Sequence, residues 1–149
     1  MRDTKLHYFQ FRFLQRILGV NNFLFRIKVK ESPLCSLCHE SNETLEHLFW
    51  DCDFVKIFWS ESHNLCLKSR FEIDFNCIKF GFFEDATHPI NFFILHGKYF
   101  IFNCKLNNKI PDAIVFSYKL KYYLNVEYYI LSKASNESRK TLFNEMFIL

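Results

Sequence analysis

Apolar positions recur at helical spacing along most of the chain. Leu6, Phe9, Phe13 and Ile17 fall three and four residues apart and mark one face of a helix over residues 5–18. Gly19 is placed to stop that helix, and Asn21-Asn22 to turn the chain or cap a further helical turn. The period then changes to two. Phe25, Ile27 and Val29 alternate with Arg26, Lys28 and Lys30, which predicts a short extended segment, with a helical turn from Asn22 as the alternative. Pro33 biases Ser32 away from helical backbone. A second helix opens at Asn42-Glu43-Thr44, where Asn42 or Thr44 can cap it and Glu43 and Glu46 suit its positive end. It runs to about Trp50. Asp51-Cys52-Asp53 reads as a break, and helix resumes from Phe54 to about Leu65. Residues 66–88 give a mixed pattern, in which Phe71, Ile73 and Phe75 alternate as in a strand without an evident partner. Pro89 to Lys105, Pro111 to Lys133 and Glu137 to Phe147 each read as helix.

Composition agrees with this pattern. A chain of 149 residues, half of them apolar, is long enough for one domain with a real core. Gly and Pro, three each, are too scarce for a many-turned β-sandwich and suit helices with short joins. Charge adds a division that periodicity does not show. The net charge is only +3, but residues 1–32 carry seven Lys/Arg against two Asp/Glu, and residues 33–62 one against six. The remaining residues are weakly basic. The N-terminus mixes charge into its apolar residues and lacks a secretory h-region, and the apolar runs are too short to span a bilayer. The expected setting is therefore intracellular, nucleus or cytoplasm, with no membrane partner. Thiols stay reduced there, and grouped cysteines point to a metal before disulfides.

The cysteines group in the acidic segment. Cys35 and Cys38 are two residues apart, the spacing with which one tight turn aims two sulfurs at a common point. His47 and Cys52 come next. The pattern Cys-x2-Cys-x8-His-x4-Cys can close a Cys3His site for Zn2+, but positions 47 and 52 lie roughly 140° apart on a continuous α-helix. The site therefore requires the helix to bend near Cys52. Cys35 to His39 also spells the attachment motif of a c-type haem. That reading leaves His47 and Cys52 unused and suits an exported protein; an unmetallated pair of reduced cysteines is the plainer alternative. His39, next to Cys38, is the rival fourth ligand and is better placed for solvent. Cys66, Cys77 and Cys104 are scattered in apolar surroundings and read as small core side chains. A Cys3His site is closed to substrate and is structural. The expected fold is mainly α, a helical domain with a small Cys3His zinc-binding turn-helix insertion. Its parts are a basic helical arm (1–32), a zinc-binding segment (33–62) and an aromatic-rich helical tail (63–149).

The stretch SPLCSLCHESNETLEHLFWDCDFVKIFW resembles the zinc-binding segment downstream of the reverse-transcriptase domain in LINE-type (non-LTR) retrotransposon polyproteins. The likeness lies in the Ser-Pro-Leu-Cys lead-in, the Glu-Thr-Leu-Glu-His-Leu-Phe around His47, Cys52, and Phe58-Trp59. It is specific over about Lys5 to Trp59 and loose beyond. One departure is Asp53, where the family often has proline. The resemblance implies that Cys35, Cys38, His47 and Cys52 bind zinc, and that the module helps a polymerase hold its RNA template or DNA target. A reverse-transcriptase polypeptide is then a further partner. No Asp-Asp pair occurs in the chain, so the metal-binding aspartates of a polymerase palm are missing and no enzyme is expected.

The basic arm carries the nucleic-acid reading. Lys5, Arg12 and Arg16 fall within roughly 40° of one another on a helix, and Arg26, Lys28 and Lys30 stand on alternate residues after it. Each can neutralise a phosphate, and Tyr8 or Phe11, outside the apolar stripe, can stack on unpaired bases. Such a stripe is also what any solvated helix face looks like. The alternative function is a zinc-stabilised protein–protein interaction module that docks through its aromatic surface. Trp50, Phe58 and Trp59 read as packing residues.

Overall fold

A computed structural model describes residues 3–68, 72–81 and 89–149. Among them the chain forms α1 (Thr4–Leu14), α2 (Asn21–Arg26), a π-turn (His47–Asp51), α3 (Asp53–Cys66), α4 (Phe75–Phe80), α5 (Pro89–Leu106), α6 (Ala113–Lys133) and α7 (Glu137–Met146). The mainly α expectation holds. Isolated antiparallel bridges, Leu34 to Asn42 and Leu67 to Phe147, are the β pairing among the described residues. Of the stretch 66–88, Phe71 lies outside the described residues. The strand-like alternation does not make a strand at Phe75, which opens α4 behind an Asp74 cap that accepts from the Cys77 N–H at 2.7 Å.

Side chains start four of these helices. Asp3, Asp74, Asp112 and Asn136 each accept a backbone N–H of the first turn, which satisfies a donor that has no partner within the helix. The stops are less orthodox. α1 ends at Leu14, not at 18, because Arg16 takes up left-handed backbone (φ 56°) and the Ile17 N–H closes on the Arg12 carbonyl at 3.0 Å. The same closure occurs at Lys28 after α2, Asn108 after α5 and Ser135 after α6, all with positive φ. Gly19 is not the stop. Ile17 consequently leaves the apolar face and stands exposed, while Leu18 is buried. The Arg26–Lys30 segment is likewise corrected: it is the last turn of α2 and its left-handed exit, not an extended run.

The core is built of phenylalanines around α5, a helix apolar on nearly every side and buried along most of its length. Phe9 and Phe13 of α1 meet Phe49 of the π-turn edge to face, at 6.2 and 5.0 Å between ring centres, and Phe9 also meets Phe102 of α5. On the other side Phe58 of α3 packs with Phe100 of α5 and Phe116 of α6, and Phe92 with Phe143 of α7. Trp59 is clamped in place, since its indole N–H donates to the Phe49 carbonyl at 2.9 Å and its ring lies where a side chain on Gly97 would be, 2.5 Å from an added Cβ. One continuous apolar cluster thus draws on residues from the arm, the zinc segment and the tail.

Candidate metal centre

The site is assembled by three short pieces of backbone. First, Pro33-Leu34 and Asn42-Glu43 pair as a minimal antiparallel rung: Leu34 bridges Asn42, and the Glu43 N–H donates to the Pro33 carbonyl at 2.8 Å. The turn that carries Cys35 and Cys38 sits at its tip. There the Cys35 N–H donates to the Ser41 carbonyl, the Leu37 N–H points at the Cys35 sulfur at 3.4 Å, and His39 adopts left-handed backbone (φ 59°) to reverse the chain. Second, the Thr44 hydroxyl caps the next helical turn by accepting the His47 N–H at 3.0 Å.

Third, the break before Cys52 is a π-turn. The Cys52 N–H donates to the His47 carbonyl at 2.8 Å, a five-residue closure in place of the α-helical four. This widened turn undoes the mismatch of a regular helix, because residues five apart are stacked rather than splayed. Cys52 then leaves in extended backbone (ψ 129°) and becomes the cap residue of α3. The bend demanded by the spacing is present, although Asp53 stands where a proline would have marked it.

The result is convergence of the four residues. One ligand atom each from Cys35, Cys38, His47 and Cys52 lies within 4.8 Å of the other three, and the Cys38 sulfur is 3.3 Å from His47 Nε2. A tetrahedral zinc with sulfur at ~2.3 Å and imidazole nitrogen at ~2.0 Å requires ligand atoms roughly 3.5–4 Å apart. The set fits in number, donor type and spacing. Cys35 and Cys52 are fully buried and Cys38 and His47 half-buried, and four protein ligands fill a tetrahedral ion. The Cys35 thiol is pushed up chiefly by its hydrogen bond to Cys52, then by burial. The same bond pulls Cys52 down, helped against burial by the amides of Phe54 and Val55 at the positive end of α3. His39 is exposed and outside the cluster. Of the other cysteines Cys66 is buried, with burial pushing its thiol up to about 12, while Cys77 and Cys104 are only half-buried.

Beneath the turn lies a buried polar network that sequence reading missed. Glu43 is fully buried and serves not the helical turn that follows it but the first N–H of α2. Its carboxylate accepts the backbone N–H of Asn21 at 2.8 Å and of Ser36 at 2.7 Å, and pairs with Lys105 of α5 at 3.1 Å. Lys105 also donates to Asn21 Oδ1, and Asn21 Nδ2 donates to the Leu34 carbonyl. The signal was Lys105 itself, a lysine in an apolar helix, which calls for a buried acid. Glu46, read with it as a helix-end charge, instead holds Arg16 at 2.8 Å.

The basic residues are thereby sorted. Lys5, Arg26, Lys28 and Lys30 are exposed, and no ion pair among the described residues involves them. Arg12 is half-buried with its guanidinium 5.5 Å from the centre of the Tyr8 ring. Arg16 is off the helical stripe and engaged with Glu46, so the three-residue stripe on α1 reduces to Lys5 and Arg12. Phe58 and Trp59 are core, Trp50 is half-buried, and Tyr8 and Phe11 are exposed.

Residues 1–59 match the family model described as zinc-binding in reverse transcriptase. The resemblance read from the ligand pattern is therefore met over the segment that builds the centre, and the cluster has the donor set of a zinc site. No curated protein and no solved structure matches the chain. No helix of the described residues is long and apolar enough to cross a membrane.

Proposed function

We propose that the chain is a non-catalytic, retrotransposon-derived zinc module that binds nucleic acid, RNA template or DNA target, on behalf of a reverse transcriptase. Zinc holds the turn at residues 35–52, and that turn with Glu43 and Lys105 fixes where α2 leaves the domain. The observation that supports the reading best is the exit of α2. Arg26, Lys28 and Lys30 stand exposed there between exposed Ile27 and Val29, beside a metal segment whose own acids would repel phosphate. Such a ribbon gains little for the fold and suits a polyanion. The test is binding of the zinc-loaded chain to short RNA and DNA across a salt series. Affinity is expected to fall steeply with salt, and replacing Arg26, Lys28 and Lys30 together by Gln is expected to flatten the log–log slope by about two to three. Absence of binding at low salt would refute the reading.

A second reading is favoured by one feature. Val115, Tyr118, Tyr122, Val126 and Tyr129 line the outer face of α6 at helical spacing, with the three tyrosines 71, 66 and 65% exposed. This is the aromatic surface of an interaction module, for which a reverse-transcriptase polypeptide is the expected partner. Co-purification of that polypeptide with a chain that binds no oligonucleotide would favour it.

A further inference from the structure

A groove of about 240 Å³ runs between α1 and α5. Its floor is Phe9 and Phe102, both core residues. Its rim is different in kind: Lys5, Tyr8 and Arg12 come from α1, and Tyr99, Asn103 and Leu106 from α5. Three properties of this rim belong together. Tyr8 is 62% exposed, a large aromatic surface that packing does not account for. Arg12 lies over the same ring, so a cation is held beside an aromatic surface that nonetheless remains largely exposed. Among the described residues no carboxylate lines the groove, and both of its ionised groups are cationic.

We infer that this groove takes one unpaired nucleotide of a single strand, with the base stacked at Tyr8 and the flanking phosphates on Lys5 and Arg12. The inference rests on the nucleic-acid reading above and narrows it. A cavity of this size admits a single base and excludes a duplex, whose bases are already stacked and whose phosphates would meet only the rim. Tyr99, packed on Phe9 at 5.4 Å, and the Asn103 side chain bound to the Tyr99 carbonyl at 2.9 Å give the opposite wall a fixed shape. Stacking tolerates any base, so the groove selects strandedness and not sequence. It also assigns α5, outside the matched residues, a part in binding.

The test uses the full zinc-loaded chain and four probes: a 12-nucleotide oligouridylate, the oligothymidylate of equal length, the oligothymidylate with abasic central positions, and a blunt duplex. Both intact single strands are expected to bind about tenfold more tightly than the abasic strand of equal charge. Tyr8→Ala should erase that ratio and Tyr8→Phe should keep it; the residue is exposed, so both variants fold. Arg12→Gln should weaken every probe and lower the salt slope by about one. If Tyr8→Ala binds all probes as the unaltered chain does, or if the duplex binds as tightly as the intact single strands, the groove assignment is wrong while nucleic-acid binding stands. If no probe binds even at low salt, the broader reading fails and takes the groove with it.

Discussion

Lys98 shows how much one residue can cost and why the fold retains it. It lies in α5, 2% exposed, with its ammonium 4.3 Å from the centre of the Phe13 ring and donating to Gln10 Oε1 at 2.6 Å. These two contacts tie α5 to α1, but they only partly replace lost water, and burial pushes the Lys98 pKa down to about 7. The sign comes from linkage. An unfolded Lys98 keeps its proton up to about 10.5, so between that pH and about 7 the unfolded chain binds more protons and stability rises with pH. The penalty is fully present below pH 7 and is relieved towards pH 10.5. Lys98→Met should therefore unfold at higher urea at pH 6.5, by about 1–4 kcal/mol, and its advantage should shrink steadily when the measurement is repeated at pH 8 and 9.5. An advantage that stays constant over that range would mean that Lys98 is not titrating in the folded protein.

At the scale of elements, four helices start on conventional side-chain caps, and four end on left-handed residues that are not glycine. Ser135 is held left-handed after α6 at a cost of roughly 1–2 kcal/mol for a residue with a side chain. Ser135→Gly should remove that strain, lose part of the gain to the more flexible unfolded chain, and still raise the melting temperature by about 1–3 °C. A lower melting temperature would show that the serine holds the turn by a contact of its own. The same feature explains what was and was not legible in the sequence. Apolar spacing located α1, α3, α5, α6 and α7, because each buries a face long enough to impose its period. The stops at Arg16, Lys28, Asn108 and Ser135 carry no glycine, and a rule that looks for glycine ran α1 on to Gly19 and misread the exit of α2. The metal ligands were legible because their chemistry tolerates few substitutes, and their spacing even required the bend that the π-turn supplies. Glu43 was not, since an acid near a helix start looks the same whether it faces solvent or a lysine far along the chain. The groove between α1 and α5 was half legible: Lys5, Arg12 and Tyr8 stood out on α1, but nothing in sequence brings Tyr99 and Asn103 to them.

For the molecule as a whole, zinc is not an appendage on a helical domain. Cys35 and Cys52 belong to the same buried cluster as Phe49, Phe58 and Phe93, and Glu43 links the metal-bearing turn to α2 through Asn21 and to α5 through Lys105. Metal binding and tertiary packing should therefore be coupled through that carboxylate. Glu43→Gln keeps the shape of the side chain and removes its charge. Lys105 is then left buried without a counter-ion, at a cost of about 3–5 kcal/mol, and the Ser36 N–H between the two turn cysteines loses its charged acceptor. Urea unfolding at saturating zinc should show the first loss, and competition with a coloured chelator should show zinc affinity reduced by about 10- to 100-fold. The double variant Glu43→Gln with Lys105→Met separates the two effects. It should recover most of the stability, since no unpaired charge remains buried, and recover little of the zinc affinity, since Ser36 still lacks its charged acceptor. Full recovery of both would mean that Glu43 serves only to neutralise Lys105, and that the turn holds its metal without help from the network beneath it.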